Sequence, residues 1–252
     1  MKIKAGALII ALSAATIFLD SEIASATVWQ VGDLTTYAQA IWGGVPGVDA
    51  GATLLVAQFD NVYASQGAAI AGSTSGFTMI FTDTSAVLNY MPSIGPYAAL
   101  TGNVSNPLST TSGAFGGDVM ALTFNVDFSD AGLLPGTSGL RFGDLTLADF
   151  TGTLAPLDGL TVRQFLGDMN TLLGGGSSIV TIADLDTTLS DLNASFSYGQ
   201  FATQFAQDHL VAPVTSETPL PAALPLFATG LGGLGLFGWR RKQKASAAIA
   251  AA

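Results

Sequence analysis

Residues 119–128 read VMALTFNVDF, and the fold class predicted from the sequence rests mainly on this stretch. Its residues fall into two alternating sets, of which the first is wholly apolar. The first set is Met120, Leu122, Phe124, Val126 and Phe128, and the second is Val119, Ala121, Thr123, Asn125 and Asp127. A period of two is typical of a half-buried β-strand, so we predict a strand here.

Stretches on both sides of this segment also predict strands, at residues 52–63, 77–82 and 140–147. Clusters rich in Gly, Pro, Asn and Ser separate them, as turns would. The acidic residues are nearly all Asp, and no Lys occurs between Lys4 and Lys242. This composition favours strands and turns over exposed helices. We therefore predict a mainly β fold with a β-sandwich-like domain.

The hydrophobic period changes after residue 160. Apolar residues recur there at helical spacing: Val162, Phe165, Leu166, Met169, Leu172 and Leu173. Thr161 and Gln164 form a capping box before this run, and the glycines of residues 174–176 end it. Residues 182–192 predict a second helix and residues 201–210 a third. The β domain should thus carry two or three short C-terminal helices.

The N-terminus has the three parts of a secretory signal peptide. Lys2 and Lys4 precede an apolar run at residues 5–19, and Ala24 and Ala26 form a small-residue cleavage site before Thr27. The run is shorter than the roughly 20 residues of a spanning helix, although an uncleaved anchor is the alternative. We predict a signal peptide at residues 1–26 that is cut by signal peptidase.

The last 34 residues predict a membrane tail. Residues 222–239 carry no charge and would span roughly 27 Å as a helix, just enough for a bilayer core. Trp239 stands where an interfacial aromatic belongs. Basic residues follow at Arg240, Arg241, Lys242 and Lys244. They predict a single C-terminal transmembrane helix with residues 245–252 as an Ala-rich cytoplasmic end; a buried core helix is the alternative.

The segment PLPAALPLFATGLGGLGLFGWRRKQK, residues 219–244, resembles the PEP-CTERM sorting signal. The family's Pro-Glu-Pro motif corresponds to Pro219, Leu220 and Pro221, with Leu in place of Glu. The resemblance implies an exosortase as processing partner, a transient inner-membrane intermediate, and final transfer to the cell surface or the medium. It also implies a bacterial host that makes exopolysaccharide. The mature domain would be residues 27–211 and the linker residues 212–218.

The net charge of the mature domain limits the classes of molecule that it can bind. Between Thr27 and Thr218 there are two basic residues, Arg141 and Arg163, and 16 acidic ones, a net charge near −14. Such a domain repels phosphate backbones, so we expect no nucleic-acid partner. The chain has no Cys and one His, His209, which excludes thiolate chemistry and any single-chain zinc centre with two imidazoles.

Calcium, which prefers oxygen ligands, is the metal that this composition leaves open. Asp127 with Asp130 is one candidate cluster, and Asp184 with Asp186 and Asp191 is the other. Neither matches the EF-hand pattern. Helix capping and turn formation explain the same aspartates, and we favour that interpretation.

No catalytic residue is nominated, because the sequence has no nucleophile elbow and no phosphate-binding loop. We therefore predict a non-catalytic envelope or extracellular-matrix protein associated with exopolysaccharide or biofilm. One alternative is a glycan-binding module, and another is a secreted hydrolase that uses Asp pairs. The aromatic candidates for sugar stacking are Trp29, Tyr37, Trp42, Tyr63, Tyr90 and Tyr97.

Overall fold

Helices, rather than strands, are the main secondary structure of this domain. The computed structural model describes residues 28–185 and 187–213, and it is 42% helical and 9% strand. The prediction of a mainly β, sandwich-like domain is therefore wrong. The prediction failed at residues 119–128, the stretch on which it mainly depended.

Residues 119–128 lie in the middle of a 17-residue helix, α4 (Ala114–Asp130), and do not form a strand. Thirteen of its residues are buried, so α4 is a central helix with protein on nearly every side. A helix buried all round has no polar face, and its sequence shows no 3.6-residue period. Both alternating sets of residues are buried in α4, apart from Asp127, so the period of two does not separate a buried face from an exposed one.

Shorter elements surround α4. The helices are α1 (Gln39–Trp42), α2 (Ala50–Val62), α3 (Thr84–Tyr90), α5 (Val162–Leu173), α6 (Thr188–Asn193) and α7 (Gln204–His209). Three 3₁₀ turns lie at Phe142–Asp144, Gly152–Leu157 and Ile182–Asp184. Helix α4 packs against α1, α5, α6 and the first of these turns. The strand predicted at residues 52–63 is wrong, because those residues form α2.

The strands are short and form two small sheets. In the first sheet, β1 (Ala69–Gly72) pairs antiparallel with β2 (Thr78–Phe81), and β3 (Val104–Ser105) pairs parallel with β2. In the second, β4 (Thr146–Leu147) pairs antiparallel with β5 (Leu210–Val211). The strand predicted at residues 77–82 is confirmed as β2. Of the strand predicted at residues 140–147, only β4 exists.

The C-terminal helices follow the sequence more closely. Helix α5 has the predicted capping box, in which Thr161 and Gln164 bond reciprocally, and Gly174 is its C-cap. All six predicted core residues of α5 are buried. The second predicted helix is divided into the 3₁₀ turn Ile182–Asp184 and α6, and the third is shortened to α7.

The two ends of the described chain are bonded to each other. The Trp29 backbone N–H donates to Gln207 Oε1 at 3.1 Å, and Gln207 Nε2 donates to the Trp29 carbonyl at 2.9 Å. Trp29 Nε1 also donates to the Leu210 carbonyl at 2.8 Å, and the Trp29 side chain is buried. These hydrogen bonds thus join the N-terminal and C-terminal ends of the described chain.

Within residues 28–185 and 187–213, no helix combines the length and the apolar character needed to cross a membrane. The transmembrane helix predicted at residues 222–239 lies outside the described residues, and the structure gives that prediction no support. The predicted signal peptide at residues 1–26, nearly all of the linker and the whole sorting tail also lie outside them.

Candidate functional site

The C-terminal end of α4 brings together the charged residues that the sequence suggested as one calcium cluster. Helix α4 ends in a Schellman motif: Leu133 N–H donates to the Phe128 carbonyl at 2.9 Å, and Gly132 N–H donates to the Ser129 carbonyl at 3.0 Å. Gly132 has a φ of 68°, which glycine adopts without strain. Asp127 and Asp130 therefore lie one turn apart on the last turns of α4.

Arg163, from the first turn of α5, occupies the space beside Asp130. Its Nη1 and Nη2 donate to the two carboxylate oxygens of Asp130 at 2.7 and 2.9 Å, and Nη2 also donates to Asp144 Oδ1 at 3.1 Å. The hydrogen bonds that Arg163 donates to Asp130 raise the pKa of the Arg163 guanidinium further above its ordinary value. Both oxygens of Asp130 are thus already engaged by a cation.

Asp127 has a different environment, because its partner is a phenol. Tyr63 Oη donates to Asp127 Oδ2 at 2.8 Å. Burial raises the pKa of Asp127, and the charge of Asp130 adds to this effect, whereas the Tyr63 hydrogen bond and the charge of Arg163 oppose it. Burial, followed by the charge of Asp127, raises the pKa of Tyr63 well above its ordinary value. A buried carboxyl with a raised pKa is a feature that functional sites share with structural cores.

An open groove of about 420 Å³ adjoins this cluster. Ser129 and Asp130 line one side, and Leu34 and Leu140 supply apolar surface. Arg141 also lines the groove, so the groove offers both an acidic and a basic side chain.

The second candidate calcium cluster is spread along the chain. Asp184 accepts hydrogen bonds from Thr181 Oγ1 at 2.5 Å and Thr153 Oγ1 at 3.1 Å, and these bonds lower the pKa of Asp184. Asp191 lies in the first turn of α6, and Asp186 is outside the described residues. Across the part of the chain that the structure describes, no group of three or more potential metal ligands is assembled. Calcium binding stays an untested alternative to the capping role that we favour.

Most of the aromatic residues proposed for sugar stacking lie in the core. Five of the six are buried: Trp29, Tyr37, Trp42, Tyr63 and Tyr90. Their rings contact other rings, as in the edge-on pair of Tyr37 and Trp42 with centroids 5.4 Å apart. Tyr97 is partly buried and donates to Asp118. The five buried rings are not available to stack on a sugar.

His209 is the last residue of α7. Its ring stacks on Phe150 with centroids 4.2 Å apart, and its Nδ1 lies 2.9 Å from the Ala148 carbonyl. These contacts link α7 to the segment after β4, so the residue holds two parts of the fold together.

Sequence reasoning missed a polar network in the core. Asn125, on α4, is fully buried and makes four hydrogen bonds: to the Tyr37 N–H, the Tyr37 carbonyl, Trp42 Nε1 and Asn193 Oδ1. Asn193 in turn donates to the Asp118 carbonyl at 2.9 Å. The only signal in the sequence was an amide within an otherwise apolar run.

Comparison with known proteins identifies no relative: no family model matches the sequence, and neither a curated protein nor a solved structure is significantly similar to it.

Proposed function

We propose that this chain is an exported cell-envelope protein that an exosortase processes and that associates, without catalysis, with exopolysaccharide. Its folded part would be the mature product, and the segments on either side would serve export and sorting. The proposal rests on the two terminal sequence patterns and on the position of the folded part between them.

The hydrogen bonds between the two ends of the described chain are the observation that supports this proposal. Among the described residues, Trp29 is the first with long-range hydrogen bonds, and it lies two positions after the predicted cleavage before Thr27. The last strand of the described chain, β5, ends at Val211, eight residues before Pro219. Cuts at both predicted sites would leave every hydrogen bond between Trp29, Gln207 and Leu210 in place.

The net negative charge of the described domain is consistent with the proposed extracellular location. One of its two arginines, Arg163, is bonded to Asp130 and Asp144, so the surface is dominated by aspartates. A strongly acidic surface keeps a protein soluble and gathers divalent cations, which can bridge it to an anionic polysaccharide.

The test is to fractionate cells of an exosortase-containing host that express the chain and to identify the mature termini by mass spectrometry. We expect the surface-exposed form to begin at Thr27 and to end near residues 219–221. A form that keeps residues 240–244 while exposed on the surface would contradict exosortase processing.

A matched variant carries Pro219→Ala and Pro221→Ala, which remove the motif and leave the folded part unchanged. This variant should accumulate with its tail intact, as should the unaltered chain in a host without the exosortase. If both are trimmed like the unaltered chain in the complete host, another protease makes the cut.

A further inference from the structure

A second groove, remote in sequence from the charged cluster, is lined by seven residues between Leu100 and Thr111 and has a volume of about 410 Å³. Four of these residues carry a hydroxyl: Thr101, Ser109, Thr110 and Thr111. None of the lining residues is ionisable. In a domain with a net charge near −14, an uncharged groove rich in hydroxyls is a distinct local environment.

Hydrogen bonds to the protein orient most of these hydroxyls. Thr111 Oγ1 donates to the Ala99 carbonyl at 3.1 Å, and Thr101 Oγ1 donates to Thr111 Oγ1 at 3.4 Å. Ser109 Oγ has no partner among the described residues. A hydroxyl that donates to the protein keeps lone pairs for a ligand, and Ser109 can both donate and accept.

The groove is fixed to the sheet and to α5. Leu100 N–H donates to the Leu173 carbonyl at 2.8 Å, and Asn103 Oδ1 accepts from Thr78 N–H at 2.9 Å. Asn106 Oδ1 accepts from Thr82 N–H at 2.9 Å. A loop held in this way loses little conformational freedom when a ligand binds.

An exposed aromatic ring lies next to the groove. Phe77 precedes β2 and is 38% exposed. Its Cδ2 and the carbonyl oxygen of Leu100, a lining residue, each lie 3.9 Å from the position that a Cβ on Gly175 would occupy, so the ring lies near the Leu100 end of the groove. An apolar ring beside a set of oriented hydroxyls fits the two kinds of surface on a sugar, the C–H face and the hydroxyl rim.

We propose that this groove, with Phe77 at its border, binds an uncharged segment of a polysaccharide. This inference rests on the exopolysaccharide association proposed above: the groove would bind neutral sugar residues of the polysaccharide directly, apart from any cation bridge to its charged residues. A neutral sugar fits because the lining offers no cation for a uronic acid or a sulfate, and the net negative charge of the domain repels both.

The test is calorimetric titration of the purified full-length chain with neutral cello-, malto- and manno-oligosaccharides, with oligogalacturonate as the charged comparison. We expect at least one neutral oligosaccharide to bind and oligogalacturonate to bind more weakly. Phe77→Ala should weaken binding about three- to tenfold, the range of an aromatic contact. Ser109→Phe should abolish binding, because it places a ring in the groove.

Phe201→Ala is the matched control, because Phe201 is 54% exposed and does not line the groove. It should leave binding unchanged, and far-ultraviolet circular dichroism should show each variant folded. Binding by no neutral oligosaccharide, or equal losses in Phe77→Ala and Phe201→Ala, would overturn the inference. Either result leaves the processing of the termini untouched, because a separate experiment measures it.

Discussion

Asn125 shows how one polar residue can organise an apolar core. All four hydrogen-bonding positions of its amide are used, and they join α4 to the segment before α1 and to α6. A fully satisfied amide of this kind fixes the relative position of the elements that it joins, because any other arrangement leaves buried groups unpaired.

Asn125→Ala should lower the free energy of unfolding by roughly 3 kcal/mol, because several buried groups lose their partner at once. Chemical denaturation of the two chains measures the difference. Asn61→Ala on the exposed face of α2 is the control, since it removes one solvent-exposed hydrogen bond, and we expect a change within about 0.5 kcal/mol. Equal effects in the two variants would contradict the role given to the network.

Asp127 should make stability depend on pH. Its folded-state pKa is raised above the unfolded value of 3.8, so the wild-type chain loses stability as the pH rises through the folded-state pKa. Asp127→Asn accepts the same Tyr63 hydrogen bond without titrating. We therefore expect the stability of Asp127→Asn, relative to wild type, to increase with pH above 3.8, as measured by urea unfolding at several pH values.

Asp60→Asn serves as the control for loss of one exposed carboxylate, and it should not reproduce that trend. The free energy of unfolding of Asp127→Asn relative to wild type could instead be independent of pH or decrease as the pH rises. Either result would show that Asp127 is not the titrating group.

Millimolar calcium should leave the melting temperature of the protein unchanged. Asp130 already receives two hydrogen bonds from Arg163, and Asp184 receives bonds from two threonines. Thermal unfolding with calcium and with a chelator provides the measurement. A rise of several degrees that Asp184→Asn abolishes would establish a calcium site that these contacts do not anticipate.

At the level of elements, the degree of burial of each helix explains why the sequence predicted α5 correctly and α4 wrongly. Helix α5 lies on the surface of the core, so it has one apolar face, a capping box and a glycine end, and each of these is visible in the sequence. Helix α4 is buried on nearly every side, and only its length separates it from a buried strand.

The crossing of α1 and α2 depends on the absence of a side chain at Gly51. A Cβ there would lie 2.9 Å from the Ile41 carbonyl oxygen, a backbone atom that cannot move without shifting α1. Gly51→Ala should therefore lower the free energy of unfolding by about 1–3 kcal/mol, despite the better helix propensity of alanine. Thermal or urea unfolding measures the change.

Gly167→Ala in α5 is the matched control, because nothing lies within 4 Å of the Cβ that it adds. The same substitution should raise stability there by roughly 0.5–1 kcal/mol. If Gly51→Ala also stabilises the protein, the two helices are not in close backbone contact.

For the whole molecule, the sequence located the charged residues but not their contacts. Acidity, the single histidine and the aspartate pair at 127 and 130 were all readable in the sequence. The Arg163 bonds to Asp130 and Asp144, and the hydroxyl groove beside Phe77, depend on segments that are distant in sequence and meet only in the fold. The burial of Trp42 and Tyr63 likewise involves packing against Phe124, in a helix that the sequence pattern had predicted as a strand.

The proposed processing requires that the segment whose ends are joined by the hydrogen bonds of Trp29 with Gln207 and Leu210 folds without the residues on either side of it. The direct measurement compares the thermal unfolding of a fragment of residues 27–213 with that of the full-length chain, with far-ultraviolet circular dichroism as the signal. We predict a mainly helical spectrum and one cooperative transition at the midpoint that the full-length chain shows. A fragment that is unfolded, or that melts at a clearly lower temperature, would contradict the claim.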